Sequence, residues 1–191
     1  LVTLAAPGDT QAEDVFELYE GIGEANVPVV GGDTTSSPTL VVSVTALGSS
    51  DRVPGRDGAR PGDALVVTGA LGAAGAAFRK RAYVRPPIRV EEGVELARTA
   101  HALMDVSDGL AVDVAHIARR SGVRCVLELD RVPLADGATI DDLAFGEDFE
   151  LLAAVPEPAG FTVVGRVEEG DGVALLESGE PRMLRGFEHF A

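Results

Sequence analysis

Cysteine occurs once in the 191 residues, at Cys125. No internal disulfide can form, so a disulfide-stapled scaffold is excluded. Lysine also occurs once, at Lys80, and Arg79-Lys80-Arg81 is the one dense basic cluster. With 16 basic against 31 acidic side chains and a net charge of −15, the chain lacks the basic surface by which proteins hold nucleic acid, and no nucleic-acid partner is expected. No apolar run reaches the roughly 18 residues that a membrane helix needs, so no membrane partner is expected either. The opening Leu1-Val2-Thr3-Leu4-Ala5-Ala6-Pro7 has no basic start of a secretory signal, and the expected location is cytoplasmic. Several familiar sites are missing: a GxxxxGK[ST] phosphate loop, a GxSxG nucleophile turn and a thiolate zinc cluster. The three histidines, His101, His116 and His189, are scattered.

What remains is 46% apolar residues, enough for a core, and an uneven charge. The first 95 residues carry 8 basic and 13 acidic side chains, the last 96 carry 8 and 18. Such a surface repels phosphates unless cations intervene. The apolar pattern predicts a strand over Leu1–Ala6 and a helix over Gln11–Asn26 capped by Thr10, with Val15, Leu18, Tyr19 and Ile22 on one face. A short buried strand, Pro28-Val29-Val30, is expected to end at Gly31-Gly32-Asp33-Thr34-Thr35, and a longer one to cover Thr39–Gly48. After a loop over 49–62 come a strand at Ala64–Thr68 and a Gly/Ala-rich helix start. Val84-Arg85-Pro86-Pro87 reads as a break. Beyond it the pattern gives helices over Glu91–Ala102 and Gly109–Arg120. Leu103–Val106 is extended, and strands follow at Arg124–Leu129, Glu150–Val155, Phe161–Val167 and Val173–Leu176. This mixture, ending in hairpin-like strands, favours α+β over a doubly wound parallel sheet.

The chemistry must come from carboxylates beside tight turns and helix starts. In Met104-Asp105-Val106-Ser107-Asp108-Gly109-Leu110, Asp105 and Ser107 share a face if the segment is extended. Either the two aspartates hold a divalent cation that lets a phosphate approach, or Ser107 caps a helix whose first turn is acidic. Asp113 and His116 lie further along the polar face, solvated or behind the site. Gly31-Gly32-Asp33-Thr34-Thr35 is either a ligand turn, with Asp33 reaching a cation, or an ordinary turn. Gly146-Glu147-Asp148-Phe149-Glu150 puts Glu147 and Asp148 on opposite faces. Arg56 sits in a flexible loop, where it either pairs with a polyphosphate or is solvated. Gly69-x-x-Gly72-x-x-Gly75 is not the dinucleotide fingerprint and reads as close helix–sheet packing.

Taken together and in order, these segments resemble the thiamine-monophosphate kinase family. The resemblance is carried by Gly31–Thr35, by Arg56-Asp57-Gly58-Ala59-Arg60-Pro61-Gly62-Asp63, by Met104–Leu110, by Gly146–Leu151 and by Gly186-Phe187-Glu188-His189-Phe190. The wider superfamily includes aminoimidazole ribonucleotide synthetase, selenophosphate synthetase and the hydrogenase maturation factor HypE. The resemblance implies an α+β, two-domain architecture, with an ATP-binding domain over 1–83 that is incomplete at its start, and a second domain over 84–191. It implies ATP-dependent phosphorylation of thiamine phosphate to thiamine diphosphate, assisted by Mg²⁺, in a homodimer. By motif position, Gly32, Asp33, Arg56 and Ser107 would bind ATP. Asp33, Asp105 and Asp108 would bind Mg²⁺, Glu147 and Phe187 would contact thiamine, and no residue would act as an acid–base catalyst.

This chain also departs from the family. A paired-aspartate motif and a second acidic motif near the family's N-terminus have no counterpart, so an incomplete metal set and slow turnover by residues 1–191 alone are expected. Phe78–Arg85 and Ala135–Phe145 are short, and Phe145 stands where a glycine usually precedes Gly146-Glu147-Asp148. The alternatives are another ATP-dependent enzyme of the superfamily and a non-catalytic nucleotide- or thiamine-binding remnant.

Overall fold

A computed structural model of the chain describes residues 1–187. The chain divides into two units, Leu1–Asp51 and Arg52–Ala191. In the first, β1 (Val2–Ala6) runs at the centre of a three-stranded sheet. Its Val2 and Leu4 are buried, following the strand period of two. Helix α1 (Ala12–Gly23) is half-buried along Val15, Leu18, Tyr19 and Ile22, the stripe that the sequence predicts. The helix is entered from Gln11 rather than Thr10, and the Asp14 carboxylate accepts the Gln11 N–H at 3.3 Å.

The second strand does not lie where the apolar pattern puts it. Val29 and Val30 are exposed and outside any strand, and β2 is Gly32–Ser36, paired in parallel with β1. Backbone geometry decides the register: a Cβ on Gly32 would collide with the Val2 carbonyl, so glycine allows this close pairing. On the other side of β1, β3 is only Val41–Val44, antiparallel to it.

The second unit holds a seven-stranded sheet. Its strands are β4 (Ala64–Val67), β5 (Ala102–Asp105), β6 (Arg124–Glu128), β7 (Leu151–Val155), β8 (Thr162–Glu168), β9 (Gly172–Glu177) and β10 (Glu180–Pro181). Their order is β10-β9-β6-β8-β4-β7-β5, antiparallel except between β6 and β9. This is the expected α+β architecture. The boundary, however, lies between Asp51 and Arg52 and not near residue 83. The reason is β4, which pairs with both β7 and β8 and so joins the later sheet.

Alternation along the strands builds two apolar faces. Leu65, Val67, Leu152 and Ala154 face the larger core, with Leu110, Val114, Ile117 and Ala118 of α4 (Leu110–Ser121). Val66, Ala153 and Val155 face the smaller one, with Leu96 of α3 (Val90–Ala97). Full burial of Leu110, Val114 and Ile117 contributes about 1.5–3 kcal/mol each, which pins α4 and therefore the loop at its N-terminus. Cys125 lies in the larger core, where burial pushes its thiol up to about 11.

Candidate active site

The loop between β5 and α4 is set by a residue that the sequence pattern placed outside the site. Asp113, in the first turn of α4, is fully buried. One of its carboxylate oxygens accepts the backbone N–H groups of Ser107 and Asp108, at 3.0 and 3.1 Å. Ser107 thus does not cap the helix. The helix is entered through Gly109, without a side-chain cap, and Asp113 reaches back instead. Its other oxygen, Oδ1, is buried with no hydrogen-bond partner. Burial pushes the Asp113 carboxyl up to about 6, and the nearby charges of Asp108 and Asp105 push the same way, against the two backbone donors. Beside it His116 is held below the usual imidazole range, first by burial and then by the cations Arg119 and Arg56. The Arg119 guanidinium donates to its Nδ1 at 3.1 Å. Asp108, Asp113 and His116 each offer a donor atom, all within 4.8 Å of one another. The Asp108 and Asp113 carboxylates are oxygen donors of the kind a divalent ion such as Mg²⁺ takes, while the His116 imidazole is a softer ligand.

A second loop closes on the first. The turn at Gly146 hydrogen-bonds across to it: the Glu147 N–H donates to the Ser107 carbonyl at 3.0 Å and the Phe149 N–H to the Val106 carbonyl at 2.9 Å. Gly146 has φ 80°, and a Cβ there would collide with the Ser107 carbonyl. Glu147 and Phe149 are both left-handed, at φ 58° and 52°, at a cost of about 1–3 kcal/mol each that such sites commonly carry. The two faces expected for Glu147 and Asp148 do exist, but this left-handed turn makes them rather than strand alternation. Glu147 is exposed, while Asp148 is buried. The Asp148 carboxylate accepts the N–H groups of Gly72 and Ala74 at 2.6 and 3.1 Å, and burial raises its pKa. The start of α2 (Ala73–Arg79) is therefore filled by the protein's own carboxylate, and Gly75 packs against Asp142. The packing is close, but against the helical turn Ile140–Ala144 and not against the sheet as the glycine spacing suggests.

Glu150 anchors the far end of the same segment. It accepts the Thr68 hydroxyl at 2.5 Å and both Nε and Nη2 of Arg89 at 2.8 Å. Arg89 also donates to Glu92 at 2.6 Å, and this paired environment raises its pKa. The clamp ties the start of α3 to the sheet beside the site.

Phe187 completes the site, its N–H donating to the Asp108 carbonyl at 2.9 Å. Ser107, Asp108, Phe145, Glu147 and Phe187 then line one groove of about 480 Å³. Asp108, His116 and Phe187 also line a larger groove of about 880 Å³. Of the residues singled out in the sequence, the structure brings Ser107, Asp108, Glu147 and Phe187 together. It adds Asp105, whose charge acts on Asp113, and Arg56, whose charge acts on His116. Gly32 and Asp33 belong to the first unit, where they line a cavity with Tyr19, Val30 and Thr34. The Asp33 carboxylate there accepts the Thr34 N–H at 2.9 Å. Glu188, His189 and Phe190 lie outside the described residues. The residue that sequence reasoning missed is Asp113. An acid in the first turn of a helix is ordinary, so the sequence offered no signal for it.

Comparison with known proteins first defines a class. Residues 60–177 match the AIR synthase related protein, C-terminal domain. Solved structures of the hydrogenase maturation protein HypE share the fold, one with a TM-score of 0.78 at 18% identity, covering 100% of this chain and 76% of that one. More specific are two curated proteins named thiamine-monophosphate kinase. That of Pyrococcus abyssi is 34% identical over 99% of this chain and 71% of its own length. That of Aquifex aeolicus is 32% identical over 100% and 73%. The structure described as "AaThiL complexed with AMPPCP and TMP" superposes with a TM-score of 0.84 at 32% identity, covering 100% of this chain and 72% of that one. The chain belongs to the thiamine-monophosphate kinase family.

Proposed function

We propose that the protein transfers the γ-phosphoryl group of ATP to thiamine phosphate, giving thiamine diphosphate and ADP. The observation that carries this reading is the single groove shared by Ser107, Asp108, Glu147 and Phe187, in a chain whose relatives carry that activity in their name. The solved relative in complex with AMPPCP and TMP supports the same pair of ligands.

The attacking atom is an oxygen of the acceptor phosphate. It forms a bond to the γ-phosphorus as the bond from that phosphorus to the β–γ bridging oxygen breaks, and ADP leaves with the electron pair. A phosphate monoester has lost most of its second proton at neutral pH, with a pKa of about 6, so no general base is needed. The task for the protein is to align two anions and offset their repulsion. Asp105 and Asp108 would hold Mg²⁺ in the second unit and Asp33 in the first. The orphaned Oδ1 of Asp113 supports a cation beside this loop. When bound, Mg²⁺ neutralises phosphate charge. Ser107 donates its hydroxyl to a phosphate oxygen, Arg56 pairs with the polyphosphate, and Gly32 lets the backbone approach the nucleotide. Glu147 faces the cationic thiazolium and Phe187 packs on its ring. The exposed valines Val41, Val42 and Val44 on edge strand β3 support a homodimer formed through the first unit's sheet. A cytoplasmic location fits ATP as co-substrate. Among the described residues no helix is long and apolar enough to cross a membrane.

The test is incubation with ATP, thiamine phosphate and Mg²⁺, followed by ³¹P NMR. ADP and thiamine diphosphate should rise together. ATP loss without thiamine diphosphate, or failure of the chain to bind thiamine phosphate, would overturn the reading.

A further inference from the structure

One side chain of α4 bridges the turn that carries Arg56. Ser121, the last residue of that helix, accepts the Ala59 N–H at 3.1 Å and donates its hydroxyl to the Arg56 carbonyl at 3.2 Å. A hydroxyl can accept and donate at once, which neither a carboxylate nor a methyl group can do. The turn is fixed on its other sides as well. The Leu103 N–H of β5 donates to the Gly55 carbonyl at 2.9 Å. Ala59 is buried in the larger core, and a Cβ on Gly58 would collide with the His101 carbonyl. The loop that reads as flexible in the sequence is thus anchored around residue 56, while Arg56 itself stays exposed.

We infer that Ser121 is a positioning residue for the nucleotide: it fixes the backbone from which Arg56 meets the polyphosphate. The inference rests on the kinase reading above. Helix α4 then supports both halves of the phosphate site. Through Asp113 its first turn holds the Ser107–Asp108 loop, and its last residue holds the Arg56 turn. From Leu110 to Ser121 the helix spans about 16 Å. Arg56 acts across part of that length, because its charge depresses the pKa of His116, which lies half-way along α4 and within the Asp108 cluster. Binding must order a long, exposed arginine, at a cost in entropy. A backbone held beforehand leaves only side-chain rotation to be ordered. Helix stability does not call for the serine, since alanine is the better helix former.

Calorimetry of Mg-ATP binding to the 191-residue chain tests the inference through a double-mutant cycle. Arg56→Ala should weaken Mg-ATP about tenfold or more, as expected for loss of a charge-assisted pair. Ser121→Ala should weaken it roughly three- to tenfold. Placed on top of Arg56→Ala, the same serine change should add less than about twofold, because the side chain it positions is gone. Ser121→Thr restores the hydroxyl and should bind Mg-ATP within about twofold of the unsubstituted chain. Should Ser121→Ala fold poorly, Ser121→Cys fills the space with a weak hydrogen-bonding group and should give the same pattern. Unchanged affinity in Ser121→Ala, the full loss repeated in the Arg56→Ala background, no rescue by threonine, or no Mg-ATP binding by the unsubstituted chain would overturn the inference. Failure of the kinase reading shows elsewhere: the unsubstituted chain would then bind no thiamine phosphate, whatever the Mg-ATP series gives.

Discussion

Replacing Gly146 by alanine should be among the most damaging single-atom additions this protein can receive. The added Cβ meets backbone on every side. It collides with the Ser107 carbonyl oxygen and lies 2.8 Å from both the Ser107 carbonyl carbon and the Gly109 nitrogen. None of these can swing away, because the two loops are tied by the hydrogen bonds from Glu147 to Ser107, from Phe149 to Val106 and from Val106 to Glu150, at 3.0, 2.9 and 2.8 Å. Three costs add. A left-handed alanine costs about 1–2 kcal/mol. Forcing a packed site apart costs about 1–3 kcal/mol. Each backbone bond lost costs about 0.5–1.5 kcal/mol. The total is about 3–5 kcal/mol, a large share of the roughly 5–15 kcal/mol typical of a domain. Gly122 is the control. It is also left-handed, at φ 64°, but a Cβ there meets nothing within 4 Å, so Gly122→Ala should cost only the first term. Urea unfolding followed by far-ultraviolet circular dichroism measures both. Equal losses in the two variants would refute the claim that loop-to-loop contact, rather than backbone conformation, fixes glycine at 146.

Further predictions concern charge. Asp142 accepts Arg79 at 2.7 and 2.6 Å and the Thr139 N–H at 2.7 Å, and the guanidinium beside it holds its carboxyl down at about 2. A depressed acid stabilises the fold above its ordinary pKa and loses that stabilisation as pH falls toward the folded value. Stability should therefore drop between about pH 4 and pH 2, and Asp142→Asn should be less stable at pH 7 with a shallower acid limb; parallel pH profiles for the two proteins would contradict this. Asp148→Ala strands the Gly72 and Ala74 N–H groups in a buried place and should cost about 2–4 kcal/mol, read as a lowered urea midpoint. ATP should bind tightly only with Mg²⁺ present; equal affinity in EDTA would remove the cation from the site. Asp105→Asn and Asp108→Asn should each weaken Mg-dependent ATP binding at unchanged melting temperature, and Phe187→Ala should weaken thiamine phosphate more than ATP.

Much of the second unit is legible in the sequence because its signals are local. The stripe Leu110, Val114, Ile117, Ala118 announces α4, and the unbroken apolar run Leu65-Val66-Val67 announces a strand, which the structure buries on both faces. The boundary was not legible, since β4 is separated from its partners β7 and β8 by some eighty residues and nothing in Ala64–Val67 names them. Val29 and Val30 look like a buried strand by composition, but the pairing that Gly32 permits shifts the strand downstream. At the site, Ser107, Asp108, Glu147 and Phe187 stand in short motifs that mark them. Asp113 does not: an acid on the first turn of a helix is ordinary, and only the fold reveals that it is buried and bonded to the two residues it supports.

The place of β4 has a consequence during synthesis. Its apolar residues Leu65, Val66 and Val67 are completely buried in the finished sheet, but both neighbouring strands lie beyond residue 150. At about 5–20 residues per second, a ribosome takes roughly 5–20 s to deliver the hundred residues that complete β8. For that interval a short, uncharged β-strand waits with both edges open. The acid-rich residues 1–51, already synthesised by then, travel with it. A chain carrying −5 over its first 95 residues repels its own copies on the same polysome, which guards the strand until its partners emerge.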